Sequence, residues 1–208
     1  MQQKFLRFLF YTFGIIIMTF GISLTIQSHM GTGPFDALLV GLYKTFGLSV
    51  GSWEISIGLL LVLLNALAQR RTPEYVALLT SFITGIGIDF WLFVTSDWIQ
   101  PCTILARLLC FTIGLGLGGF GIAVNLQADF APNPMDRSMQ VVRKLTGWNL
   151  AISRAFISIF FVILAYFFHG PIAVGTILSA VFSGITIKIF TPYIAQFEKR
   201  TRKDGVAS

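Results

Sequence analysis

Of the 208 residues, 55% are hydrophobic and 12% are charged, about half the ~25% charge of ordinary soluble domains, and the mean hydropathy is +0.78. That balance excludes a water-soluble globule, and the length suits one membrane domain, residues 1–208. The net charge of +6 is no sign of nucleic-acid binding, because the basic residues gather between apolar runs rather than along one polar face.

The first apolar run, 5–27, follows Lys4 and Arg7. It is long for the apolar part of a signal peptide and no small-x-small cleavage pattern follows, so it reads as a retained membrane helix. A short segment, 34–47, comes next, opened by Gly31-Thr-Gly-Pro-Phe-Asp36. Proline suits a first helical position, where its missing N–H would be unpaired anyway. Asp36 complements the positive helix end, and Gly31 and Gly33 permit a sharp turn before it. This predicts a helix of about 14 residues, roughly 21 Å long. Long apolar runs at 51–68 and 75–95 follow, and then one at 103–127. Cys102 and Cys110 fall about two helical turns apart, too far for a disulfide, and read as packing residues. Gly114 and Gly118 form a G-x-x-x-G, suited to close helix packing within the chain or, alternatively, to a homodimer face. A second short segment, 134–147, precedes apolar runs at 150–168 and 172–191 and a basic tail at 193–208.

The chain is one unit written twice. Gly-Thr-Gly-Pro-Phe-Asp (31–36) returns one hundred positions later as Ala-Pro-Asn-Pro-Met-Asp (131–136). At the same offset Gly14, Phe20, Gly21, Ile22, Gln27, Lys44 and Gly47 match Gly114, Phe120, Gly121, Ile122, Gln127, Lys144 and Gly147. Residues 5–95 make the first repeat and 103–192 the second. If the six long runs span and the two short segments do not, the basic groups Lys4/Arg7, Arg70/Arg71, Arg137/Arg143/Lys144 and Lys199/Arg200/Arg202/Lys203 all fall on one side. The positive-inside rule makes that side the cytoplasm, with both termini there. Three spans per repeat is odd, so the two copies are expected to be inverted with respect to each other.

The fold class expected is therefore an all-α membrane protein of two inverted three-helix repeats, each with an extra short helix, re-entrant or interfacial. The first short helix is apolar nearly all round, as a buried one would be. The second carries Met135, Met139, Val142 and Leu145 opposite Arg137, Gln140, Arg143 and Lys144, the pattern of an interfacial helix.

Candidate site residues come from the motifs and from charges within the spans. Gly31, Gly33, Pro34 and Asp36, with Asn133, Pro134 and Asp136, either cap two helices or place two helix N-termini around a substrate or ion. Gln27 and Gln127 end the first run of each repeat and are candidates to bind substrate or to satisfy freed backbone groups. Glu54, Asp89, Arg107 and Arg154 are intramembrane charges, costing about 2.5–3.5 kcal/mol each at the bilayer centre. Asp89 and Arg107 lie at similar depth on consecutive helices and can form an ion pair. Glu54 and Arg154 hold equivalent positions in the two copies and are expected to face the interior. Lys188 reads as a snorkelling residue. His29 and His169 lack metal-ligand spacing, so no metal and no cofactor is expected.

Gln27-Ser-His-Met-Gly-Thr-Gly-Pro-Phe-Asp, Gly47-Leu-Ser-Val-Gly, Asn133-Pro-Met-Asp136, Arg154 and Gly175-Thr176 resemble the bacterial YczE/YyaS/YitT group of integral membrane proteins from about residue 8 to 192. The second motif departs from the group in having Ala131 and Asn133 where glycines are usual. The resemblance implies a multi-pass bacterial plasma-membrane protein and supplies no substrate.

The function expected is a small-solute or ion transporter, or a channel-like carrier, with its site at the repeat interface. Alternatives are the substrate-binding subunit of an energy-coupling importer and a non-transport membrane accessory. An enzyme is not expected: no Ser/His/Asp set, metal cluster or phosphate-binding loop is present. The partners expected are lipid and an unidentified solute or ion.

Overall fold

The computed structural model describes residues 2–128, 130 and 133–204, and the side chains of 7–128, 130 and 133–196. Ala131 and the end of the tail, 205–208, lie outside the described residues, as do the side chains of Lys4 and of the terminal basic group. Among the described residues all regular structure is helical: α1 Gln2–Gln27, α2 Pro34–Phe46, α3 Val50–Gln69, α4 Tyr75–Thr95, α5 Ile104–Gln127, α6 Pro134–Thr146, α7 Leu150–Phe167 and α8 Val174–Asp204.

Local chemistry sets these boundaries. Both short helices begin on their proline, Pro34 or Pro134, with an aspartate in the first turn. Both stop at a glycine with positive φ, Gly47 at 77° and Gly147 at 75°, a conformation that costs glycine little. The next helices start under equivalent caps. Ser49 Oγ accepts from Ser52 N (3.0 Å) and Asn149 Oδ1 from Ile152 N (2.8 Å).

The six remaining helices are long and apolar enough to cross a membrane: Arg7–Gln27, Val50–Gln69, Tyr75–Thr95, Ile104–Gln127, Leu150–Phe167 and Val174–Gln196. They present large apolar side chains outward, among them Leu59, Leu60, Leu63 and Leu64 on α3 and Ile159, Phe160 and Ile163 on α7. Lipid is the surrounding such rows suit.

At the centre α1 crosses α5. A Cβ on Gly14 would lie 2.7 Å from the Asn125 backbone N, and one on Gly114 would lie 2.8 Å from the Gly21 carbonyl oxygen. One on Gly121 would lie 2.7 Å from the Gly14 carbonyl oxygen. Gly14 thus meets Gly121 while Gly21 meets Gly114, so the two helices run antiparallel, at a spacing only glycine allows. Around this pair α4 packs on α1 and α3, and α8 packs on α5. The short helices cross over: α2 packs on α7, and α6 on α3. Phe35, Leu38, Leu39 and Leu42 of α2 join Val50, Leu61, Ile88, Phe161 and Ala165 in the main apolar core, with the Phe35 and Phe161 rings 5.1 Å apart.

The last helix outlasts its apolar run. The apolar run ends near 191, yet α8 continues through Pro192 to Asp204. Proline removes a single backbone donor, and Ala195, Gln196, Glu198, Lys199 and Arg200 beyond it are strong helix formers.

Candidate functional site

The N-termini of α2 and α6 open onto one cavity of about 160 Å³. Gly33, Pro34, Phe35 and Asp36 come from the first motif, and Asn133, Met135 and Asp136 from the second. Glu54 reaches it from α3 and Arg154 from α7. Met18 and Ile22 of α1, Leu115 and Ile122 of α5, Met139 of α6 and Ile187 of α8 form apolar wall.

Each polar group is held locally. Glu54 is only 1% exposed, and its Oε1 accepts from Asn133 Nδ2 at 3.3 Å. The same asparagine caps α6, its Oδ1 accepting from Met135 N at 3.0 Å. Gly33, the equivalent residue of the first copy, has no side chain to do either. A Cβ there would lie 2.7 Å from Asp36 Oδ2, so the aspartate folds back over the glycine. Asp36 and Asp136 are both within electrostatic range of Glu54, and Arg154 is within range of Asp136. The Arg154 guanidinium rests against Gly184, where a Cβ would lie 3.2 Å from Nη1. The lining therefore contains three carboxylates, Asp36, Glu54 and Asp136, and one cationic side chain, Arg154.

The remaining candidates lie elsewhere. Gln27 Nε2 donates to Thr95 Oγ1 at 2.8 Å and lines a separate opening of about 890 Å³ with His29, Asp89 and Arg107. Gly31, at φ 93°, sits in a loop pinned to the start of α8, where Gly175 N donates to the Met30 carbonyl at 2.9 Å. Pro134 is buried beside the cavity, and its carbonyl accepts from Asn65 Nδ2 (3.3 Å) and Ser138 Oγ (2.9 Å). Gln127 ends α5 outside the cavity lining.

The expected Asp89–Arg107 pair is corrected. Asp89 instead accepts from Ser49 Oγ (2.5 Å) and Gly51 N (2.8 Å) at the N-terminus of α3, while Arg107 Nε donates to the Pro101 carbonyl (3.2 Å). Unpaired helix-end amides with a favourable dipole make a closer partner for this carboxylate than the guanidinium of the next helix. On α6 the polar face is tied down by an ion pair between Arg137 and Glu74. Lys188, His29 and His169 are exposed. Among the described residues no group of three His, Cys, Asp or Glu side chains is placed to hold a metal ion.

Sequence reasoning passed over the hydroxyls of the cavity, Thr25, Thr84, Ser158, Ser179 and Ser183. Serine and threonine inside apolar runs commonly bond back to their own helix, as Thr19 does to the Ile15 carbonyl at 2.8 Å, so their presence carried no signal. Thr84 and Ser179 are exceptions, buried with no partner for their hydroxyls.

A family model described as "Family of unknown function (DUF6198)" matches residues 5–192. The chain belongs to the DUF6198 family. It is 46% identical over 189 residues to the Bacillus subtilis "Uncharacterized protein YyaS", covering 91% of this chain and 94% of the relative. It is 35% identical over 196 residues to "Uncharacterized membrane protein YczE" of the same organism, covering 94% and 90%. A Haemophilus influenzae "Uncharacterized protein" is 26% identical over 188 residues, covering 88% and 83%. No solved structure matches. The resemblance to the YczE/YyaS group read from the motifs is thus a family relation. With six span-length helices and outward apolar rows, this DUF6198 chain is a multi-pass membrane protein.

Proposed function

We propose that the protein is a small-solute carrier of the bacterial cytoplasmic membrane, built as two inverted repeats around the shared cavity. The observation that carries this reading is that two helix starts one hundred residues apart, at Pro34 and Pro134, open onto the same cavity beside Glu54 and Arg154. Short helices whose N-termini converge on a polar site are the working part of inverted-repeat transporters. The antiparallel α1–α5 crossing and the exchanged packing of α2 on α7 and α6 on α3 support inversion. Placing Arg70, Arg71, Arg137, Arg143 and Lys144 in the cytoplasm orients the molecule with both termini inside.

Keeping ionisable groups at an intramembrane site is costly, at about 2.5–3.5 kcal/mol for each one near the bilayer centre. A turn-building role for the motifs needs only the caps and gives no account of Glu54 or Arg154. In the carrier each repeat rocks against the other, so that the cavity faces alternate sides. On one side α6 is tied to α3 through Asn65–Ser138 (3.0 Å) and to the start of α4 through Arg137–Glu74. On the other α2 is tied to the end of α7 through Thr45–Phe168 (3.1 Å). These are the contacts that rocking breaks in turn.

The test compares metabolite uptake and efflux in cells lacking the protein, cells overproducing it, and cells overproducing Asp36→Asn or Asp136→Asn. The carrier reading expects one class of small solute to redistribute with the wild type and not with either variant. Identical profiles in all strains, with every protein present in the membrane, would count against it.

A further inference from the structure

We infer that the carried solute is a small organic cation, an alkylammonium-type ion with a few heavy atoms; this rests on the carrier reading and names its substrate class. Acidic side chains outnumber basic ones on the cavity wall by three to one. Asp36, Glu54 and Asp136 line it together with one guanidinium, that of Arg154, which lies against Gly184 and within range of Asp136. The helix N-termini, which otherwise attract anions, carry their own carboxylates in the first turn, and Asn133 caps α6. An anion entering this cavity meets three carboxyl groups against one guanidinium.

Two unused hydroxyls provide an independent pointer. Thr84 is 1% exposed and Ser179 is 5% exposed; both line the cavity, and neither Thr84 Oγ1 nor Ser179 Oγ has a hydrogen-bond partner. Buried polar atoms are nearly always satisfied, so a pair of exceptions on one cavity wall marks places where an entering group is bonded. Each hydroxyl oxygen can accept from an ammonium N–H or lie against the polarised C–H of a methylated one. Together with Glu54 they put acceptors on α3, α4 and α8 around the same space.

Size and wall chemistry select an organic ion. A cavity of about 160 Å³ is well below the ~300–1,000 Å³ of drug-sized sites. Among the described residues the carboxylates are not gathered as metal ligands. Met18, Ile22, Met135 and Met139 offer soft apolar surface, which suits an alkyl group and gives a hydrated inorganic ion nothing to bind.

The test uses the purified full-length protein in detergent, with ethylammonium and tetramethylammonium as probes and propionate and propanol as matched anionic and neutral controls. Binding is read by titration calorimetry and by thermal stabilisation. Saturable binding of at least one cation, with neither control binding, is expected. Glu54→Gln should weaken it at least tenfold. Thr84→Val, which keeps the shape and removes one hydroxyl, should weaken it several-fold and serves if the glutamate variant does not fold. Preference for propionate, binding of no cation, or cation binding indifferent to both variants would overturn the assignment. The carrier reading fails separately. Proteoliposomes that bind the cation but show no counterflow of labelled tetramethylammonium keep the substrate class and lose the transport. Carriage of an anion or a neutral solute in a manner dependent on Asp36 does the reverse.

Discussion

Replacing Gly114 with alanine presses a methyl group into the α1–α5 crossing. The new Cβ would stand 2.8 Å from the Gly21 carbonyl oxygen and 2.9 Å from both Leu24 Cβ and Thr25 N, where ordinary contact begins at 3.4 Å. Two of those atoms are backbone, so no side-chain rotation relieves the clash and the helices must part by about half an ångström. A gap of that size forfeits about a quarter of the dispersion energy of the atoms beside it. Overpacking of this kind costs about 1–3 kcal/mol. Gly116, half a turn away, is the internal control, since a Cβ there meets nothing within 4 Å. Both substitutions gain the same helix propensity, about 1 kcal/mol, so their difference isolates the crossing. Gly114→Ala should be about 1–3 kcal/mol less stable than Gly116→Ala, with a midpoint lower by about 2–4 °C per kcal/mol. Cys110 is a built-in reporter: its Sγ donates to the Leu24 carbonyl at 3.3 Å on the same seam, so its thiol becomes reactive as the crossing opens. Cys102 is exposed and would be replaced by serine in every variant. A Gly114→Ala protein that melts at or above Gly116→Ala would refute the close crossing.

Three other substitutions separate structural roles from the cavity. Asp89→Ala removes the carboxylate that holds Ser49 Oγ and Gly51 N, and should cost about 1.5–3 kcal/mol in thermal unfolding while leaving cation binding at the cavity unchanged. Loss of binding there would place Asp89 in the site after all. Glu74→Gln breaks a partly exposed ion pair with Arg137, whose side chains are 46% and 30% exposed, so its stability effect should stay within about 1 kcal/mol. A much larger loss would mean that the pair is part of a wider network. Asn133→Ala takes away both the α6 cap and the amide facing Glu54, and should destabilise by about 1–2 kcal/mol. An unchanged melting curve would show that the glutamate does not depend on this asparagine.

Much of the architecture is legible in the sequence because its cues are local. Proline at 34 and 134, glycine at 47 and 147 and polar caps at 49 and 149 each act within a few residues, so the helix limits follow from them. The apolar run at 172–191 does not mark the end of α8, because loss of hydropathy ends a membrane span, whereas a helix stops only when its backbone bonds fail. Charges were harder to place. Glu54 and Asp89 both lie in apolar runs, yet one reaches the cavity and the other closes the N-terminus of α3, a difference made by the contact of α4 with α3. Arg154, expected from the sequence only to face the interior, joins Glu54 in the same space because α7 packs on α2 and α6. Thr84 and Ser179 had no distinguishing pattern at all, since their role depends on what surrounds the hydroxyl.

The shared cavity as an alternately open site is tested most directly by access to Ser183, a half-buried residue of its wall. Ser183→Cys would be introduced with Cys102 and Cys110 replaced, and sealed vesicles of each orientation exposed to membrane-impermeant trimethylammonioethyl methanethiosulfonate, whose charge is permanent. The carrier account predicts modification from both faces, slowed by Asp36→Asn as the attraction for the cationic reagent weakens. Modification from one face only, or from neither, in a protein that remains folded would contradict it.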